Sequence, residues 1–372
     1  MSVTMPDMIA NRKVIVCAGS GGVGKTTTAT AVALAAARQG RRVLALTVDP
    51  SKRLAQTLGV SRNLRTPTSI PEERLREAGI EPPATLDAWM LDPGIVADDF
   101  VRKIADTPVE AERLTNNRIY RQITRMIAGM QEYMAMEALA GFMREGRYDL
   151  IVLDTPPSRN ALDFLYGPSR LASFLDGRIF QLFLPGEQRS FLRRAASRLV
   201  NGVNTAVFGA DNYAELQDFF SSFGDVFQAM KRNAQEGLDN LRDPDEVAFL
   251  LVTSPAATAM ADAYFFRRKT NELRLPFRGY VLNRSQARAD CVHPTLEMFG
   301  SNPSAVQRSA LEKLEGLAKL EEAAVERDRS LLNQLADSAG IHASAVALPN
   351  LPGGADDLHE LLYLSDVLAG AA

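Results

Sequence analysis

Along the chain, short continuous apolar runs alternate with longer stretches in which apolar residues recur every three to four positions. The runs are "KVIVCA" (13–18), "RVLALTV" (42–48), "YDLIVLD" (148–154), "VAFLLVT" (247–253), "RGYVLN" (278–283) and "ASAVALP" (343–349). They are too short and too rich in β-branched residues for helices. Their unbroken apolar character is what strands covered on both faces require, so they predict a buried parallel sheet. Helical patterns fill the intervals: Thr27 to Gln39 is closed by Gly40 and Ile127 to Glu145 by Gly146, glycines suited to ending a helix. Alternating strand and helix predicts a doubly wound α/β fold with ligands at the carboxyl ends of the strands.

One region breaks the alternation. Residues 162–241 carry no strand signal, yet 12 of the chain's 26 aromatic residues lie between Phe164 and Phe227. This predicts an aromatic-rich helical insertion subdomain, with 1–161 and 242–372 forming the core. Within it, "SFLDGRIFQLFLPG" and "ELQDFFSSFGDVF" read either as the insertion's own core or as a groove for a hydrophobic helix. Arg189, Arg193, Arg194 and Arg198 make a basic amphipathic stretch, either a solvated face or a contact for an acidic partner or lipid headgroups. Helical segments at about 71–80 and 92–117 surround a candidate edge strand, "LDAWMLDP". Methionines 126, 130, 134, 136 and 143 read as packing residues before "YDLIVLD". "DDLHELLYLSDVL" predicts an amphipathic docking helix with an acidic polar face.

Composition narrows the functional classes. A net charge of −3, from 42 basic and 45 acidic residues, supplies no global field for nucleic acid or an anionic membrane. Two cysteines, Cys17 and Cys291, with three histidines exclude a disulfide framework and leave no C-x-x-C zinc pair. "MSVTMPDMIANRK" lacks the apolar run of a signal peptide, and no apolar stretch reaches the roughly 20 residues that span a bilayer. A soluble cytoplasmic protein is expected.

The chemistry concentrates in "AGSGGVGKTTTA" (18–29), which fits G-x-x-x-x-G-K-[ST] between an apolar strand and an alanine-rich helix. Gly19, Ser20, Gly21, Gly22, Val23 and Gly24 would point successive N–H groups at phosphate oxygens, aided by the positive end of the helix. Lys25 is expected to bridge the β and γ phosphates, and Thr26 to place its hydroxyl on magnesium, with Thr27 completing the first turn. Asp154, closing "YDLIVLD", is the expected acid on the metal side, acting through water. Asp49 ends "RVLALTV" on the same sheet edge, where it reads either as the acid that orients the attacking water or as a turn residue of "DPSKRL".

These stretches together resemble the ArsA/GET-type ATPases, P-loop proteins with a deviant Walker A loop. The likeness runs through "TVDPSKRLAQTLGV", "LDAWMLDP", "RYDLIVLDTPPSRNALDFL" and "GYVLNR", in order along most of the chain. The resemblance implies a dimeric, magnesium-dependent ATP switch. It assigns Asp49 to the first switch and Asp154 to the second, Asn283 to the adenine edge, and the "PNLP" turn starting at Pro349 to a flank of the base. The family's loop begins K-G-G-V-G-K-T, its first lysine reaching a partner's phosphates, whereas this chain has Ser20. Arg159 stands as a substitute cation or a simple surface ion pair, and a paralogous partner chain could bring the lysine instead. With two cysteines the chain cannot assemble three thiolates for arsenite. An ATPase moving a hydrophobic or membrane-protein client is therefore the leading expectation. The alternatives are a non-hydrolysing ATP-dependent scaffold or one half of a heterodimer, and then a small-molecule kinase. No nucleic-acid partner is expected.

Overall fold

A computed structural model describes residues 4–48, 58, 65–121, 130–155, 219, 222–295, 304–351 and 357–371. It divides into two compact units: Met1–Met90, Gly146–Leu162 and Leu241–Ala372 form one, and Leu91–Glu145 with Asp163–Asn240 the other. Residues 91–145, which the sequence reading puts in the core, fall in the second unit with the insertion.

The first unit is built on an eight-stranded sheet in the order β3-β4-β2-β5-β1-β6-β7-β8. The strands are β1 (Val14–Ala18), β2 (Arg42–Thr47), β3 (Thr68–Ser69), β4 (Thr85–Met90), β5 (Leu150–Asp154), β6 (Val247–Thr253), β7 (Phe277–Ser285) and β8 (Ser344–Pro349). All pairings are parallel except β3 with β4. Every residue of β1, β5 and β6 is buried, as continuous apolar runs in the middle of a doubly wound sheet must be. The expected edge strand "LDAWMLDP" is β4, and it lies one place in from the edge. The two-residue β3 covers it, with Ile70 N–H donating to the Leu86 carbonyl at 2.9 Å. Asp87 in β4 is 2% exposed. Its carboxylate accepts from Ser69 Oγ (2.7 Å), Arg147 Nη2 (2.9 Å) and Tyr148 Oη (2.7 Å), which supplies the partners a buried charge needs.

Three helices accompany the first strands. Helix α1 (Met5–Asn11) opens on a capping box between Thr4 and Asp7. Helix α2 (Lys25–Arg38) follows the glycine loop, and its alanines let it lie close on the sheet with nearly every residue buried. Helix α3 (Glu72–Glu77) is short and exposes most of its surface.

The second unit's described helices are α4 (Pro93–Ile104), α5 (Pro108–Thr115), α6 (Met130–Glu145) and α7 (Gly224–Leu241), the last closing at the unit's end. Asp92 and Thr107 cap α4 and α5, each followed by a proline in the first turn. Aromatic rings fill this unit: Phe219 and Phe223 lie 4.5 Å apart, and Tyr120 stacks on Phe223 at 5.2 Å. Phe219, Phe223 and Phe227 of the insertion, with Tyr120, Met134 and Met136, are buried as core. Glu137 on α6 accepts from Asn233 of α7 at 3.0 Å and from Arg144 at 3.1 Å. The segment "SFLDGRIFQLFLPG", the arginines 189–198 and Arg159 lie outside the described residues.

Three helices complete the first unit: α8 (Ala257–Glu272), α9 (Ala305–Ala339) and α10 (Leu358–Ala369). The acidic C-terminal helix does dock, burying Leu358, Leu361, Leu364 and Leu368 and packing against α2. Arg38 of α2 joins it through Ser365 Oγ at 3.1 Å and an ion pair with Asp366. Helix α9 runs 35 residues from a Ser304–Gln307 capping box and buries Val325, Asp328 and Leu335.

Candidate active site

The loop from Gly19 to Gly24 joins the central strand β1 to the start of α2. Two of its glycines leave little room for a side chain. A Cβ on Gly19 would stand 2.2 Å from the Val252 carbonyl oxygen, and one on Gly24 would stand 2.0 Å from Asn283 Nδ2. Gly24 is also left-handed, φ +90°, a conformation that side chains disfavour. The loop is therefore pressed against β6 and β7.

Lys25 begins α2 and is 5% exposed, its Nζ donating to the Ser20 carbonyl at 2.9 Å. The ammonium is thus folded back over the loop it serves. Ser20, where the resemblance calls for lysine, is 9% exposed. Thr26 Oγ donates to Asp154 Oδ2 at 2.7 Å, and Thr47 Oγ donates to the same oxygen at 3.0 Å. Parallel register explains the meeting: Asp154 pairs with Cys17 of β1 on one side and Thr47 of β2 on the other. The carboxylate consequently stands level with the loop at the carboxyl edge of the sheet, 2% exposed. Thr27 follows, half-buried. Asp49 lies outside the described residues; the chain approaches it through Val48, whose N–H donates to the Asp154 carbonyl at 3.2 Å.

Beneath the loop, Cys17 is fully buried. Burial pushes its thiol far up, the Asp154 charge pushes the same way and Lys25 opposes them, so the sulfur stays protonated. It is a packing residue. Among the described residues no group of three or more His, Cys, Asp or Glu can hold a metal by itself. The hard oxygens of Thr26 and Asp154 suit magnesium, an ion that keeps water and phosphate oxygens in its shell and needs few protein ligands.

Asn283 lies two residues before the end of β7, 4% exposed, and its Nδ2 donates to the Val23 carbonyl at 2.9 Å. The residue expected at the adenine edge therefore also ties the phosphate loop to β7. Pro349, half-buried at the end of β8, pairs with Ser285, and Asn350 N–H donates to the Ser285 carbonyl at 3.2 Å. Of the "PNLP" turn, Pro352 lies outside the described residues. Sequence reasoning missed Asp328 on α9: 1% exposed, it accepts from Gln286 N–H (2.8 Å), Ser285 Oγ (3.2 Å) and Arg327 (2.7 Å). An acid inside an otherwise apolar helical stripe was the one signal available for it.

Comparison with known proteins agrees with this geometry. Residues 12–284 match the family described as anion-transporting ATPase. The chain is 23% identical over 283 residues to "ATPase ASNA1 homolog 1" of Paramecium tetraurelia, covering 76% of this chain and 78% of that protein. It is 22% identical to "ATPase GET3B" of Arabidopsis thaliana over 73% of this chain and 64% of that protein. To the "Arsenical pump-driving ATPase" of Escherichia coli it is 30% identical over 167 residues, 42% of this chain and 26% of that protein. With a strand–glycine loop–helix unit at the sheet's centre and a strand-end acid bonded to its threonine, the chain belongs to the anion-transporting ATPase family, the ArsA/GET-type ATPases.

Proposed function

We propose that this ATPase is a magnesium-dependent, dimeric switch that couples ATP hydrolysis to the handling of a hydrophobic or membrane-protein client. The observation that carries the catalytic part is the 2.7 Å bond from Thr26 to Asp154, which joins the phosphate loop to the metal-side acid. Lys25, now resting on the Ser20 carbonyl, would turn to the β and γ phosphates when ATP fills the loop. Thr26 and Asp154 would hold magnesium, which supplies charge neutralisation on the phosphate oxygens. Asp49 orients the water that attacks the γ-phosphorus; the bond to the bridging oxygen breaks and ADP leaves with phosphate. Positioning and charge suffice, since phosphoryl transfer to water requires no covalent intermediate with the protein. Asn283 holds the loop and, with Pro349, borders the base.

The client reading rests on the resemblance to the ArsA/GET-type ATPases and on the chain's poor fit to arsenite. Two cysteines, one of them buried and protonated, do not make a thiolate trap for a soft oxyanion. Among the described residues no helix is long and apolar enough to cross a membrane.

Ser20 favours a second reading, in which the dimer is a heterodimer whose paralogous subunit brings the missing lysine, or in which ATP is bound without turnover. Phosphate release by the purified chain, with and without magnesium, separates the two. Turnover by the chain alone, lost in Asp49→Asn and Lys25→Ala, supports the homodimeric switch; tight ATP binding without turnover supports the second reading.

A further inference from the structure

The two halves of α9 are placed differently. The second half packs on β7 and β8, with Val325, Leu335 and Ala339 buried. It is also bonded to the chain that follows β7: Asp328 accepts from Gln286 N–H, and Arg329 Nε donates to the Ala287 carbonyl at 3.0 Å. Ala339 leads to the start of β8 at Ser344, whereas Asp328 meets Ser285, the last residue of β7. The helix therefore climbs from the sheet's amino edge to its carboxyl edge, the edge that carries the phosphate loop, and reaches it at Asp328. In one unbroken helix, residues 305–327 then run on for about 35 Å beyond that level, at 1.5 Å per residue.

Before Val325, this first half buries only Leu311 and Ala318. Among the described residues nine large apolar side chains are exposed, and four of them, Val306, Leu314, Leu317 and Leu320, stand on this segment. The three leucines are 43, 61 and 70% exposed. On a helix, residues three, four and seven places from a given position share its face. Around Leu317 those places are symmetric in their chemistry: leucines at three (Leu314 and Leu320), opposite charges at four (Lys313 and Glu321) and alanines at seven (Ala310 and Ala324). Glu312, Glu315, Lys319 and Glu322, at two and five places, fall off that face.

We propose that this face pairs with the same face of a second copy of the chain, antiparallel, with Leu317 of each protomer at the two-fold axis. This rests on the dimeric reading given above and names a surface for it. In an antiparallel pair centred on Leu317, each residue ahead of it lies level with the residue equally far behind it on the other helix. Lys313 of one protomer then meets Glu321 of its partner, and the two-fold repeats the pair. Leu314 likewise meets Leu320, and the alanines let the backbones come close. A parallel pair would set lysine on lysine and glutamate on glutamate, so the charges select the antiparallel one. A client helix gives no reason for opposite charges to stand equally far from Leu317; self-pairing does. Three leucines from each helix bury too little to hold a dimer alone, so the contact adds to ATP-driven closure and does not replace it.

The test is sedimentation of the full chain with magnesium and ATP. It compares wild type with Lys313→Glu, Glu321→Lys, the double exchange Lys313→Glu/Glu321→Lys, and an equimolar mixture of the two single variants. Both positions are exposed, so each variant should keep the wild-type Tm. Each single variant sets like charges together at both symmetric places and should dimerise roughly 10- to 100-fold more weakly than wild type. The double exchange and the mixture should each return to within about threefold of wild type, because every charge again meets its opposite. Rescue by mixing is open only to a contact between two copies. Single variants that dimerise as tightly as wild type, or a mixture or double exchange no tighter than the single variants, would overturn the α9 contact and leave the ATP-driven dimer standing. The leucines would then be covered by a client or by another segment of this chain. A wild type that stays monomeric with ATP would overturn the dimeric reading and this contact together.

Discussion

The glycine loop and the ends of β7 and β8 are made in different ways. At the phosphate end, one contiguous stretch, Gly19 to Thr26, meets two strand-end residues, Thr47 and Asp154, that parallel register sets level with it. At the ends of β7 and β8, the linked residues Asn283, Gln286, Asp328 and Asn350 come from β7, the segment after it, α9 and the turn after β8. Chemistry that needs a fixed cradle is encoded locally. The contacts at the ends of β7 and β8 are assembled at longer range.

The largest effect that would break this contrast is at the phosphate end. Lys25→Ala should lower kcat by roughly 100- to 1,000-fold, the scale of losing one charged transition-state contact, for ATP and ITP alike. If it instead changed the preference between bases, the two ends would not be separable. Gly24→Ala comes next, because it puts a methyl 2.0 Å from Asn283 Nδ2 at a left-handed position. It should destabilise the fold by about 1–3 kcal/mol and loosen the loop from β7, read as a lower Tm together with weaker binding of every nucleotide.

Smaller effects sharpen the division. Thr47→Val removes one of two threonine bonds to Asp154 while keeping shape, so about 1 kcal/mol of stability and a few-fold loss in kcat are expected, with base preference intact. The smallest effect concerns Cys17. Burial holds its thiol protonated, so a maleimide at pH 8 should label Cys291 in the native chain and reach Cys17 only after unfolding. Native labelling of both would mean that the floor of the phosphate loop opens.

The same contrast decided what could be read from sequence. The loop, the central strands and Asp154 were legible because glycine spacing and continuous apolar runs are local signals. The docking of "DDLHELLYLSDVL" was legible for a similar reason, its leucines recurring at helical spacing. Asp328 was not, because its bond to Gln286 spans 42 positions and depends on where a 35-residue helix crosses β7. Asn283 was found as a strand-end residue, but its bond to Val23, 260 positions away, follows only from sheet order. Helix α1 had a readable start in Thr4, Pro6 and Asp7, a signal easily passed over in so short a segment. The place of residues 91–145 with the insertion follows from where the chain leaves the sheet at Met90, which no local pattern marks.

The most direct test of the switch is phosphate release from ATP by the purified chain with magnesium, beside Lys25→Ala and Asp49→Asn, with sedimentation of the same samples with and without ATP. Expected is magnesium-dependent turnover by wild type, its loss in both variants, and dimers that form when ATP is added. ATP bound tightly by a chain that releases no phosphate and stays monomeric would contradict the self-sufficient switch.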